Sequence, residues 1–171
     1  MAESELTTAH RTFVSYIDRT REFYRALDYG SPYQWARFDE VPFALLAKPL
    51  SECRLTLVTT ASPWRDEPPD PGSLRGQKAV WSGSTDAQPE RLFTGDLAWD
   101  KEATHTDDVG SFLPIRVLQE LAEAGRIGGL AARFHGVPTD YSQHRTCEVD
   151  APEILRRCRE DGVDVALMVP L

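Results

Sequence analysis

The spacing of hydrophobic positions changes period along the chain, and the changes outline its elements. From Thr8 to Leu27, the residues Phe13, Ile17, Tyr24 and Leu27 recur at three-, four- and seven-residue spacings. Tyr16 and Phe23 widen the stripe, and Arg11, Asp18, Arg19, Arg21 and Glu22 take most of the remaining surface, the pattern of an amphipathic helix. Gly30 and Pro32 end it. Residues 32–49 are aromatic and proline-punctuated, with Tyr33, Trp35, Phe38 and Phe43. They read as an irregular cover packed on the core, with one short helical turn after Pro42.

Arg54 to Thr60 is short, rich in β-branched residues and free of Gly and Pro, which predicts a strand. Residues 62–90 carry Pro63, Pro68, Pro69, Pro71 and Pro89 and read as a long surface loop, with short strand pieces near Ala79-Val80-Trp81. Leu92 to Trp99 is a weaker strand, interrupted by Gly95. Ser111 can cap a helix running to Ala124, with Ile115, Leu118 and Ala122 on one face and Gly125 just past its end. Arg126 to Val137 is rich in glycine and carries another short strand.

The last unit is the best defined. Asp150-Ala151-Pro152-Glu153 has the form of a capping box with proline in the first turn. The helix that follows turns Ile154, Leu155 and Cys158 inward, and Gly162 ends it. Val163 to Val169 is a nearly continuous apolar run, which predicts a strand buried on both faces of a parallel sheet. A helix feeding such a strand is half of a βαβ unit. The expected architecture is therefore a single α/β domain over 1–171, or the N-terminal fragment of one. Its open, mainly parallel, Rossmann-like sheet is covered by helices and is incomplete at the C-terminal end. Ligands bind such sheets outside the carboxyl ends of their strands.

Composition narrows the setting. The 171 residues are 41% hydrophobic and 27% charged, ordinary for a globular domain. The net charge of -8 is spread along the chain and argues against nucleic acid, whose phosphates require a basic patch. No run approaches the ~20 apolar residues that span a bilayer, and the acidic N-terminus is unlike a signal peptide. Cys53, Cys147 and Cys158 have neither disulfide-framework nor zinc-site spacing and read as reduced thiols of a cytoplasmic protein.

Three groups can carry chemistry. In Thr104-His105-Thr106-Asp107-Asp108 an imidazole stands beside two carboxylates, suiting a general acid or base with a positioned partner, metal ligation, or simply a loop bonded to its own backbone. His135 and His144 bracket a second polar loop that could fold toward His105 or lie on the surface. Thr59 and Thr60 end a strand, where hydroxyls and amides can hold a carboxylate or phosphate. No phosphate loop, dinucleotide fingerprint or Gly-x-Ser-x-Gly elbow is present.

Segments 16–21 with Phe23-Tyr24, 47–60, 104–114, Gly125-Arg126-Ile127-Gly128 and the closing 161–170 carry a further likeness by their order and spacing. Together they resemble the glycine/sarcosine/betaine reductase selenoprotein B family, which is similar to the proline reductase subunits. The likeness spans most of the chain and is weakest over 62–90. It implies reductive cleavage of a carbon–nitrogen bond in a small amine or amino-acid derivative. A selenolate or thiolate attacks the carbon, the amine leaves, and partner reductase subunits and thiols resolve the selenoether. It implies His105 as the acid that helps the amine leave, with Asp107 and Asp108 beside it. Thr59, Thr60, Thr104, Thr106 and His135 are the candidates for holding substrate. In the family, the strand ending in Val-Pro enters a loop bearing selenocysteine or cysteine. The expectation here is an in-frame UGA just after Leu171, since none of the three cysteines lies at the matching position. No metal or other cofactor is expected, and homo-oligomerisation is left open. The other readings are a metal-dependent enzyme built on His105, Asp107 and Asp108, and a non-catalytic small-ligand binding subunit.

Overall fold

A computed structural model of the chain describes residues 16–28, 36–63, 79–93, 105–137 and 142–170. The chain divides into two compact units, Met1–Pro42 and Phe43–Leu171. In the first, helix α1 spans Tyr16–Ala26. The expected residues 8–15 of that helix lie outside the described residues. Of the apolar stripe's described side chains, Phe23 and Leu27 are exposed and Tyr24 is half-buried.

The second unit is organised around strand β1, Arg54–Thr59. Leu55 through Thr59 are all buried, so both faces of this strand are covered. One edge of β1 pairs in parallel first with β5 (Gly129–Leu130) and then with β6 (Arg133–Gly136). The other edge pairs in parallel with β7, Val165–Val169. Strand β3 (Trp81–Ser84) runs antiparallel along β6 and completes a mixed sheet of five strands. A separate two-stranded ladder joins β2 (Ser62–Pro63) to β4 (Leu92–Phe93). The architecture is α/β.

Two helical crossovers connect the parallel strands. Helix α2 (Ile115–Glu123) lies between β1 and β5, and a helical stretch from Gln143 to Glu160 lies between β6 and β7. The crossovers run toward opposite edges of the sheet, and right-handed connections then place their helices on opposite faces. The contacts agree with this. Ile115 and Leu118 of α2 share one apolar core with Leu57 and Phe134, while the second helix reaches Ser82, which faces the other way.

Several local expectations are corrected. Residues 36–49 form no helix, and within the second unit Phe43 and Leu45 are exposed instead of packed on its core, Phe43 at 87%. The one helical turn nearby is 3-10, Leu50–Glu52, just after Pro49. The short strand piece expected near Ala79-Val80-Trp81 within the 62–90 loop starts a little later, at Trp81, and belongs to the main sheet as β3. Ser111 does not cap α2. It belongs to a 3-10 turn, Val109–Ser111, and its hydroxyl donates to the Asp108 carbonyl. Pro114 disfavours helical geometry at Leu113, so α2 begins only after the proline. Its end behaves as expected. Gly125 takes a φ of 68°, and the Gly125 and Arg126 amides close back on Ala122 and Leu121.

The helix entering β7 is longer than its sequence signals predict. Three residues, Gln143–Arg145 (α3), lead through a π-helical turn, Thr146–Asp150, into α4, Ala151–Glu160. Asp150 is therefore inside the helix, and it makes no cap. The N-cap is Ser142, whose hydroxyl accepts the Arg145 amide. Pro152 has no N–H for the carbonyl four residues back, and the widened turn precedes it. Leu155, expected inward, is exposed. Cys158 is buried as expected.

Strand β7 exists where its apolar run predicts, starting at Val165, but it is not buried on both faces. Among the described residues it pairs only with β1, and Ala166, Leu167 and Met168 are exposed, Met168 at 66%. Apolar continuity in a strand reports its neighbours' needs only when something lies over both faces. Here nothing among the described residues closes over the middle of the strand.

Candidate functional site

Register fixes what lies at each end of the sheet. At the carboxyl end, Thr59 of β1 is level with Gly136 of β6 and with Val169 of β7. The Thr59 hydroxyl accepts the Ala61 amide, and the Thr59 carbonyl accepts the Val137 amide. Trp81 closes this end by donating its indole N–H to the Ala61 carbonyl, 3.1 Å away. Gly136 makes room for it, since a Cβ there would run into the indole. Thr60 is partly exposed on the same edge.

At the amino end the sheet is stitched by charge. Asp164 accepts the Arg54 amide at 2.7 Å and the Lys48 ammonium at 2.8 Å, which holds its carboxyl below the usual range. Arg133 grips Asp161 through two parallel 2.9 Å bonds, and this fork holds Asp161 low as well. Arg54 donates to the Asp161 carbonyl. Two recesses open at this end. One of 720 Å³ is lined by Arg54, Asp86, Gln119 and Glu123, and one of 400 Å³ by Leu46, Lys48, Cys53 and Asp164. Thr59, Thr60 and His135 line neither.

His135 is the most unusual of the candidate residues. Its side chain is fully buried, on the face opposite Phe134. Nδ1 lies 2.9 Å from the Ser82 hydroxyl on β3, and that oxygen also accepts Nη1 of Arg157 at 2.8 Å. Arg157 further donates to Glu153 and to the Val80 carbonyl, so it pins α4 to the outer strand. His135 Nε2 is buried and, among the described residues, has no hydrogen-bond partner. Burial first, then the positive charges of Arg133 and Arg157, push the imidazole below its ordinary value of 6.5.

The other candidates are placed differently. His105, Asp107 and Asp108 are exposed on the loop that enters the 3-10 turn, with Thr106 partly covered. The Asp107 amide donates to His105 Nδ1 at 3.3 Å, and the Asp107 carboxylate is 3.5 Å from the same nitrogen. Neutral His105 uses Nδ1 as acceptor, and protonation turns it into a donor for the carboxylate. The loop is anchored by Val109, Phe112 and Leu113 in the core. Thr104 lies outside the described residues, as does most of the polar loop between His135 and His144. His144 is exposed and His135 is fully buried. Among the described residues no three His, Cys, Asp or Glu side chains stand close enough to hold a metal ion, and no helix is long and apolar enough to cross a membrane.

Ser82 and Arg157, which give His135 its setting, carried no functional signal in the sequence. Ser82 sat inside a presumed loop. Arg157 stood in an Arg-Arg-Cys-Arg run whose Cys158 turns inward, and that neighbouring position was the available hint that one arginine turns in too.

The chain is thus an α/β protein with a hydroxyl-bearing carboxyl edge and a buried histidine–serine–arginine cluster on one face. No protein-family model, no curated protein and no solved structure matches it.

Proposed function

We propose that the chain is the scaffold and substrate-binding part of a thiol- or selenol-dependent reductase that cleaves a carbon–nitrogen bond in a small amine or amino-acid derivative. In this reading the mixed sheet belongs to an open, Rossmann-like arrangement whose chemistry lies beyond the strand carboxyl ends. The observation that carries it is the register Thr59↔Val169. That register brings the hydroxyl-rich end of β1 beside Val169-Pro170, the lead-in from which the family resemblance expects the redox loop to spring.

The family resemblance puts the attacking selenolate or thiolate on a redox loop beyond a Val-Pro strand end, and that atom displaces nitrogen from carbon. The new carbon–selenium or carbon–sulfur bond forms as the carbon–nitrogen bond breaks, and the departing amine takes a proton. His105 supplies that proton through its exposed imidazole, with Asp107 stabilising the charged ring. Thr60, partly exposed, offers its hydroxyl to a substrate carboxylate, while the buried Thr59 holds the backbone of that edge through the Ala61 amide. Two electrons from partner thiols then free the reduced product.

The test starts with the nucleotides after codon 171. An in-frame UGA, or a reading frame encoding a nearby cysteine, supports the reading. A UAA or UAG stop at that codon sinks it. With any continuing chain expressed, alkylation by iodoacetamide should label the new residue beside the exposed Cys147, and not Cys53 or Cys158, which are buried.

A further inference from the structure

We propose that His135, Ser82 and Arg157 form an acid-sensitive latch that holds α4 against the sheet and loosens when the imidazole gains a proton. Hydrogen counting carries the argument. Arginine only donates, so the Ser82 oxygen accepts Arg157 Nη1, and its own hydrogen is free for His135 Nδ1. The neutral ring then carries its hydrogen on Nε2, which is buried without an acceptor among the described residues. One oxygen thus joins three elements: β3 through Ser82, β6 through His135 and α4 through Arg157.

Protonation reverses the central bond. Nδ1 becomes a donor aimed at an oxygen that already receives a guanidinium, and the serine hydrogen must turn away. A third cation then forms beside the two already there, Arg133 on β6 and Arg157 on α4. The carboxylates facing the ring are Glu153 on α4 and Asp161 just after it, and both are engaged: Glu153 by Arg156 and Arg157, Asp161 by Arg133. They soften the repulsion without offering Nε2 an acceptor. The least costly relief is for Arg157, and α4 with it, to withdraw.

The sign follows from linkage. The folded imidazole titrates below 6.5, so the unfolded chain binds the proton more readily. The stability this group contributes is complete above 6.5 and is lost as pH falls through the folded value. Glu153 is held at about 2 and Asp161 lies below 3.8, so neither titrates in that window.

The test uses the full chain, with amide hydrogen exchange corrected for intrinsic rates and carbon-13 NMR of the histidine rings. From about pH 7 to about pH 4.5, protection across residues 153–160 should fall about tenfold or more while β1 keeps its protection. His135→Asn, which can still bond Ser82 but cannot be protonated, should abolish the fall. An unchanged α4 while the His135 ring titrates, or the same fall in His135→Asn, overturns the proposal. If His135→Asn does not fold, the wild-type ring decides: titration at or above 6.5 overturns the latch, and titration below it in step with α4 release supports it.

Discussion

Phe134 and His135 are consecutive residues of one strand, and they meet opposite worlds. Phe134 faces Leu57, Ile115 and the edge of the Trp81 ring, with its own ring fully buried in carbon. His135 faces a hydroxyl and two guanidinium groups, equally buried. The α2 face is what composition alone would build: dispersion and area, indifferent to pH. The α4 face replaces area with directed bonds, among them Thr56 to the Arg133 carbonyl at 2.8 Å. A face held by direction is easier to switch than one held by area, because removing one hydrogen bond strands its partners in low dielectric.

The sharpest blow to the α2 face is Phe134→Ala, expected to cost about 3–5 kcal/mol in urea denaturation. That cost should be the same at pH 7 and pH 5. On the α4 face, Ser82→Ala leaves Arg157 Nη1 and His135 Nδ1 without their shared oxygen and should cost about 1–3 kcal/mol, with α4 losing protection first. Combining the two substitutions measures the independence of the faces. Additivity within about 0.5 kcal/mol keeps the comparison, and a larger coupling breaks it.

Smaller effects refine the picture. Ser142→Ala removes the true N-cap of the long helix and should cost about 1 kcal/mol, whereas Asp150→Asn should leave the helix start unfrayed by NMR. Smallest is the charged stitching at the amino end. Asp164→Asn should lower stability slightly, and less so at high salt. Because Asp164 is held low, its contribution is present above 3.8 and fades as pH falls through its folded value.

The sequence made the apolar half of this molecule legible. Strand β1, the α2 stripe of Ile115, Leu118 and Ala122, the glycine ends at Gly125 and Gly162, and the existence of β7 all follow from period and turn chemistry. What it hid depended on partners distant along the chain. A short strand piece was expected near Ala79-Val80-Trp81, but its extent, Trp81–Ser84, and its place in the sheet depend on pairing with the distant β6. The burial of β7 was misread because a run of valine, leucine and methionine looks alike at an edge and in a centre. Among the candidate site residues, His135 was singled out as a histidine, but nothing local could announce that Ser82, 53 positions away, would hold its ring.

The π-helical turn at Thr146–Asp150 has a consequence for how the helix is phased. A widened turn adds one residue to a helix without lengthening its path, which rotates everything beyond it by about 100° relative to what precedes. Arg157 and Cys158 meet the sheet in the orientation set by that extra residue. Removing one residue between Thr146 and Val149 would leave an ordinary, better-bonded helix whose Arg157 points elsewhere. The irregular turn therefore acts as a phase setting, and the polar face of the sheet depends on it.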